Sequence, residues 1–142
     1  MYEKEKTLSL AEGYGIQLAP NSISVLNKIG FLNIENSKLF NPLVLNFYSG
    51  DDKKICNLDL SNFNSGKIKY TTLRRSTLIE FLKSSLFANN LLFGKEIAKI
   101  SKIKEKLLIN FKDNTNNLVD YIVVSDGVFS NTKSIIENKD IS

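Results

Sequence analysis

The spacing of the apolar residues switches back and forth between helical and extended periods, and this alternation constrains the fold more than any other feature. A helix sets apolar side chains three or four positions apart, whereas a half-buried strand alternates them. The stretch APNSISVLNKIGF reads as a helix opened by Pro20 and Asn21, with Ile23, Leu26 and Ile29 on one face. Gly30 stands where a left-handed C-terminal cap belongs, and Phe31 is placed to pack back over it. PLVLNFYSGDDKKICNLDL then gives two strand-like runs around Gly50-Asp51-Asp52, a hairpin signal. KIKYTTL is a further extended run. STLIEFLKSSLFANN returns to helical spacing, with Leu78, Phe81, Leu82 and Leu86 on one side, a Thr77/Glu80 capping box and a stop at Asn89-Asn90. The rest reads as a meander: LLFGKEIAKISKI, a turn near Lys104 to Lys106, LLINF, a turn at Asp113 to Asn117, and LVDYIVV. Interleaved helices and strands make the class α/β or α+β. No repeat, Pro/Ser-rich linker or charge block divides the 142 residues, so the chain reads as a single unit.

Composition narrows the chemistry. Two of the 19 basic residues are arginines, the adjacent Arg74 and Arg75; the rest are lysines set against 15 acids, for a net charge of +4. A lysine-dominated excess of this size suits a solubilising surface better than a nucleic-acid-binding one, which concentrates arginine and stacking aromatics. The lone Cys56 excludes an internal disulfide and makes a reducing cytoplasm the default location. With no histidine and one cysteine, no transition-metal site is expected. No apolar run approaches the roughly 20 residues of a membrane helix. Redox or group-transfer chemistry would therefore require a bound organic cofactor.

Four places could carry such chemistry. In VDYIVVSDGVFS, Leu118 to Val124 is apolar except at Asp120, the pattern of a strand covered on both faces. It ends on Ser125-Asp126-Gly127, followed by a possible helix start at SNTKSII. That is either a tight turn or a phosphate site at the carboxyl end of a strand. Arg74 and Arg75 precede a helix, where a cation is mildly unfavourable unless it shares a phosphate with the helix start; an exposed arginine whose stem covers apolar surface is the other reading. Glu3 would suit a ribose diol if Met1-Tyr2 ended a strand, and is otherwise a solvated terminal acid. Gly13 and Gly15 flank Tyr14, which suggests either a chain passing close to something flat or a bend. Neither glycine pattern is the dinucleotide fingerprint G-x-G-x-x-G.

In this order and spacing, the four pieces resemble the single-component FAD monooxygenases of the salicylate hydroxylase and ubiquinone-biosynthesis hydroxylase type. The family's acid ending the second strand is matched by Glu3. Its GAGIQLxPNAxxxLxxLG segment is matched by GYGIQLAPNSISVLNKIG, its HRxxLxxxL by RRSTLIEFL, and its DLLVGADGxxSxxR by DYIVVSDGVFSNTK. The resemblance implies an α/β fold, an incomplete Rossmann-like FAD-binding domain with an inserted β-hairpin and meander, spanning residues 1–142 as one partial domain. It further implies that Glu3 binds the adenosine ribose of FAD, that Arg75 reaches its phosphate and ribose, and that the backbone at Ile97 borders the adenine. The Asp126-Gly127 loop would support the pyrophosphate and the interaction with NAD(P)H, and the segment from Gly13 through Gly15 to Gln17 would pass the flavin side. NAD(P)H would be the reductant, dioxygen the oxidant, and an aromatic or quinol-precursor ring the substrate; no catalytic side chain is assigned. The family's N-terminal G-x-G-x-x-G unit and its later GD segment have no counterpart, Val124-Ser125 replaces Gly-Ala, and Lys133 replaces an arginine. The chain is thus expected to be the middle of a monooxygenase that alone binds FAD weakly or not at all and does not turn over. The alternatives are a small non-catalytic soluble α/β domain and a basic nucleic-acid binder resting on Lys95 to Lys106.

Overall fold

Local signals place the first elements. The computed structural model describes residues 1–10, 13–86 and 90–137. Strand β1, Gly15–Leu18, alternates exposed and half-buried residues and leads into helix α1, Pro20–Asn27. Pro20 sits at the helix start, where its missing N–H would have had no partner. Gly30 takes the expected left-handed conformation at φ 96°, and Phe31 beyond it is only 2% exposed. Ile29 is 51% exposed, against expectation, because α1 ends at Asn27 and the following turn swings that residue off the helical face. Strand β2 is Leu39–Phe40. The hairpin forms as expected from β3, Val44–Tyr48, and β4, Lys54–Asp59, but Asp52 rather than Gly50 supplies the left-handed residue, at φ 58°.

Strand β5, Thr71–Arg74, runs without a break into helix α2, Arg75–Ser84. The helix thus begins two residues before Thr77, and the Thr77/Glu80 capping box does not form. The carbonyl of Tyr14, adjacent to β1, accepts the Arg75 N–H at 3.0 Å, so sheet pairing satisfies the donor that a capping side chain would otherwise serve. Leu78 and Phe81 pack on the core, whereas Leu82 and Leu86 are exposed. The helix stops at Ser84; the predicted stop at Asn89 lies outside the described residues.

These elements belong to one of two compact units, Ser9–Phe87. Its three-stranded antiparallel sheet has the order β1-β5-β2, and β3-β4 stands as a separate two-stranded sheet. Ile23 from α1, Phe31 and Leu73 from β5 form the buried core, ringed by Leu18, Leu26, Ile34, Leu39, Leu78 and Phe81.

The other unit combines Met1–Leu8 with Ala88–Ser142. Strands β6, Ile97–Ile103, β7, Lys106–Phe111, and β8, Asn116–Val119, form an antiparallel meander whose third strand starts inside the turn expected at Asp113 to Asn117. Ile109 and Phe111 are its buried apolar residues, with the Tyr2 ring centred 4.7 Å from that of Phe111. Helix α3, Asn131–Glu137, lies against β6. The chain is therefore mixed α/β with antiparallel sheets; the one parallel pairing among the described residues is the bridge between Tyr2 and Leu92.

The covered strand expected from Leu118 to Val124 does not form. Pairing of β8 with β7 ends at Val119 opposite Leu107, and Asp120 closes the end through an ion pair with Lys106 at 3.2 Å. Beyond it Tyr121 is 79% and Val123 80% exposed, because the segment has no ladder partner among the described residues. No helix among the described residues is long and apolar enough to cross a membrane.

The turn between β7 and β8 is held by charge. Lys95 Nζ donates to Asp113 at 2.6 Å and to the Thr115 hydroxyl at 2.8 Å, while Asp113 also accepts the Thr115 N–H at 3.0 Å. Lys95 first, then the Thr115 hydroxyl and N–H, pull the Asp113 carboxyl down to about 2. A depressed folded pKa stabilises the fold above the unfolded carboxylate value and loses that contribution as pH falls through the folded one. Asp113→Asn is therefore expected to melt below the wild type at pH 7, with the difference shrinking as pH falls to about 2. Thermal melts at the two pH values test this; an equal gap at both would contradict it.

Candidate functional site

In the Ser9–Phe87 unit the candidate residues Gly15, Gln17 and Arg75 meet through strand pairing. β1 runs antiparallel to β5 with Gly15 opposite Arg74 and Gln17 opposite Thr72. Alternation turns Ile16 and Leu18 inward and leaves Gly15 and Gln17 on the exposed face. The Gln17 side-chain carbonyl accepts the Tyr70 hydroxyl at 2.9 Å. At the end of this strand the Arg75 guanidinium lies over the Tyr14 ring, 5.9 Å from its centre, within cation–π range. Arg75 is half-buried, and neither arginine is ion-paired with an acid among the described residues.

The glycines around Tyr14 are not required by the backbone. Neither Gly13 nor Gly15 has a left-handed φ. A Cβ on Gly13 would meet nothing within 4 Å, and one on Gly15 only the Thr72 methyl at 3.9 Å. The surface they leave is bare backbone beside an arginine free of any described carboxylate.

In the other unit Glu3 follows directly on the isolated parallel bridge at Tyr2, where the sequence calls for a strand end. Its N–H donates to the Leu92 carbonyl and its carbonyl accepts the Lys95 N–H, both at 2.9 Å. The second bond brings Glu3 near the start of β6, where Ile97 pairs with Phe111. The Glu3 carboxylate accepts the Glu5 N–H at 2.9 Å.

Asp126 and Gly127 have a local explanation. Gly127 holds φ 86°, a conformation suited to glycine. Asp126 accepts the Thr132 N–H at 3.3 Å, and Ser130 Oγ accepts the Lys133 N–H at 3.0 Å, so both side chains cap α3. The Ser130 hydroxyl, more than Thr132, holds the Asp126 carboxyl below the usual carboxylate range against the opposing effect of burial. This helix start thus already carries an anion of its own, and the tight-turn reading accounts for the pair.

Two features escaped the sequence. One is the Arg75–Tyr14 stack, hinted at only by an aromatic between glycines. The other is the Lys95–Asp113–Thr115 cluster, whose Asp-x-Thr turn spacing was its only signal. Within the basic run, Lys95 and Lys106 are each paired with an aspartate.

No family model matches the sequence, and no curated protein matches it. Solved structures do share its fold. Over 98% of the chain it superposes on 2,6-dihydroxypyridine-3-hydroxylase from Arthrobacter nicotinovorans with a TM-score of 0.75 at 14% identity. Klebsiella pneumoniae HpxO complexed with FAD and uric acid matches over 89% of the chain, TM-score 0.70, 16% identity. A salicylate hydroxylase substrate complex matches over 90%, TM-score 0.70, 17% identity. The chain spans about a third of the length of each: 33%, 32% and 32%.

Proposed function

We propose that this chain forms part of the Rossmann-like FAD-binding domain of a monooxygenase that hydroxylates an aromatic ring, with NAD(P)H as reductant. The observation that carries the reading is the fold shared over 89–98% of the chain with two hydroxylases and with HpxO, the last described with FAD and uric acid. The residues present fit such a cofactor: the glycines beside Tyr14 leave a side open that a Cβ would fill, and Arg75 has no described carboxylate to satisfy it. Arg75 would take a phosphate, for which a guanidinium fork is well shaped. The backbone from Gly13 to Gln17 would lie close to a planar ring. Glu3 would accept hydrogen bonds from a ribose diol, and the backbone at Ile97 would border adenine. Asp126 and Gly127 would shape their loop through the α3 cap. When bound, FAD would supply the hydride acceptance and dioxygen chemistry that no side chain here provides. These residues bind, orient and exclude water. With a single exposed cysteine and no described membrane helix, a cytoplasmic location fits this reading.

The second reading, a small non-catalytic α/β domain, draws on the Asp126-Gly127 turn, which local structure explains without a ligand. Calorimetry with FAD and riboflavin separates the two. The flavoprotein reading expects weak FAD binding, with riboflavin, which lacks phosphate, at least about tenfold weaker; no heat from either at millimolar concentration favours the non-catalytic domain.

A further inference from the structure

We infer that Tyr14 is a stacking platform for the planar heteroaromatic ring of a ligand whose phosphate is held by Arg75, and that this ring contact selects the ligand. The inference rests on the cofactor reading above and assigns a residue that reading leaves idle. The Tyr14 backbone is fixed, since its carbonyl accepts the Arg75 N–H at 3.0 Å. The residue is nonetheless 61% exposed. An aromatic side chain that the fold anchors but does not bury has a face left to offer. The flanking glycines keep that face clear, because no side chain projects at Gly13 or Gly15 and their Cβ positions are open. Glycine in an extended segment costs chain entropy, and here neither a left-handed φ nor crowding repays it. The guanidinium 5.9 Å from the ring centre places a phosphate-binding group next to the platform. Ring and cation together match a flat heterocycle carried on a sugar phosphate. The pattern this segment resembles has alanine between the two glycines, so the ring is a feature of this chain itself.

The test compares FMN, ADP and ribose 5-phosphate binding to the wild type, Tyr14→Phe and Tyr14→Ala by NMR titration. FMN or ADP is expected to bind the wild type roughly tenfold or more tightly than ribose 5-phosphate, the size of one base–aromatic stack. Tyr14→Ala should erase that preference while leaving ribose 5-phosphate affinity unchanged, and Tyr14→Phe should restore it. Preference for FMN identifies the flavin half as the occupant, and preference for ADP the adenine half. If Tyr14→Ala binds all three ligands like the wild type while Arg75→Ala still weakens them, the platform is overturned and the cofactor reading stands. If ribose 5-phosphate binding falls equally with Tyr14→Ala, Tyr14 serves only to position Arg75 and the platform is again overturned. If the wild type binds none of the three, both fail.

Discussion

Phe31→Ala is expected to destabilise the Ser9–Phe87 unit by about 3–5 kcal/mol, the usual cost of deleting a buried aromatic. Phe31 is 2% exposed and belongs to one buried cluster with Ile23 and Leu73. Its ring meets Phe81 edge-on, with centres 5.4 Å apart and planes at 87°. Such a pair adds about 0.5–1.5 kcal/mol beyond area burial, so truncation removes both terms. The surroundings can close the cavity only poorly. Gly30 fixes the chain in a left-handed turn immediately before Phe31, and a Cβ there would already lie 3.2 Å from Asn33 Nδ2. Whole domains are stable by only about 5–15 kcal/mol, so this substitution removes a large share of the total. Urea denaturation measures it; a loss below about 1 kcal/mol would mean that Phe31 is not the centre of this core.

The second large effect falls on ligand binding. Arg75→Ala is expected to weaken FAD affinity roughly ten- to a hundredfold, equivalent to about 1.5–3 kcal/mol for hydrogen bonds to a charged group. Riboflavin, without phosphate, should be indifferent to the change. Arg75→Lys keeps the charge but loses the planar fork, so its affinity should fall between wild type and alanine. The fold should survive, because the contact that starts α2 uses the Arg75 backbone and not its side chain. Equal FAD binding by wild type and Arg75→Ala in calorimetry would remove Arg75 from the site.

What the sequence made legible follows from how local each signal is. Gly30 and Phe31 were readable because a left-handed glycine after a helix acts within a few residues. The β3-β4 hairpin was readable for the same reason, from the Gly50-Asp51-Asp52 signal between its two runs. The start of α2 was misread because the Thr77/Glu80 signal is also local, yet β1-β5 pairing, across more than fifty positions, satisfies the Arg75 N–H first. Tyr121 to Val124 looked buried because apolar composition signals cover only when a neighbouring strand exists to provide it. No such strand is present among the described residues.

The candidate site divides along the same line. Arg75, Gly13 and Gly15 stood out as residue types, but their juxtaposition depends on the β1-β5 register, which no window of sequence contains. The Arg75–Tyr14 stack is a product of that register. Asp126 and Gly127 stood out as a pair with two readings, a tight turn and a ligand-binding loop. The Ser130 and Thr132 contacts that favour the turn arise only once α3 has formed.

We propose that the open backbone around Tyr14, together with Arg75, receives a phosphate-bearing flavin. The most direct measurement of this is a FAD titration of isotopically labelled protein, followed at the backbone amides of Gly13, Tyr14, Gly15, Gln17 and Arg75. These resonances should move together along one saturating curve with FAD, and riboflavin at the same concentrations should leave the Arg75 amide in place. Resonances that stay fixed up to millimolar FAD, or that respond identically to riboflavin, would contradict it.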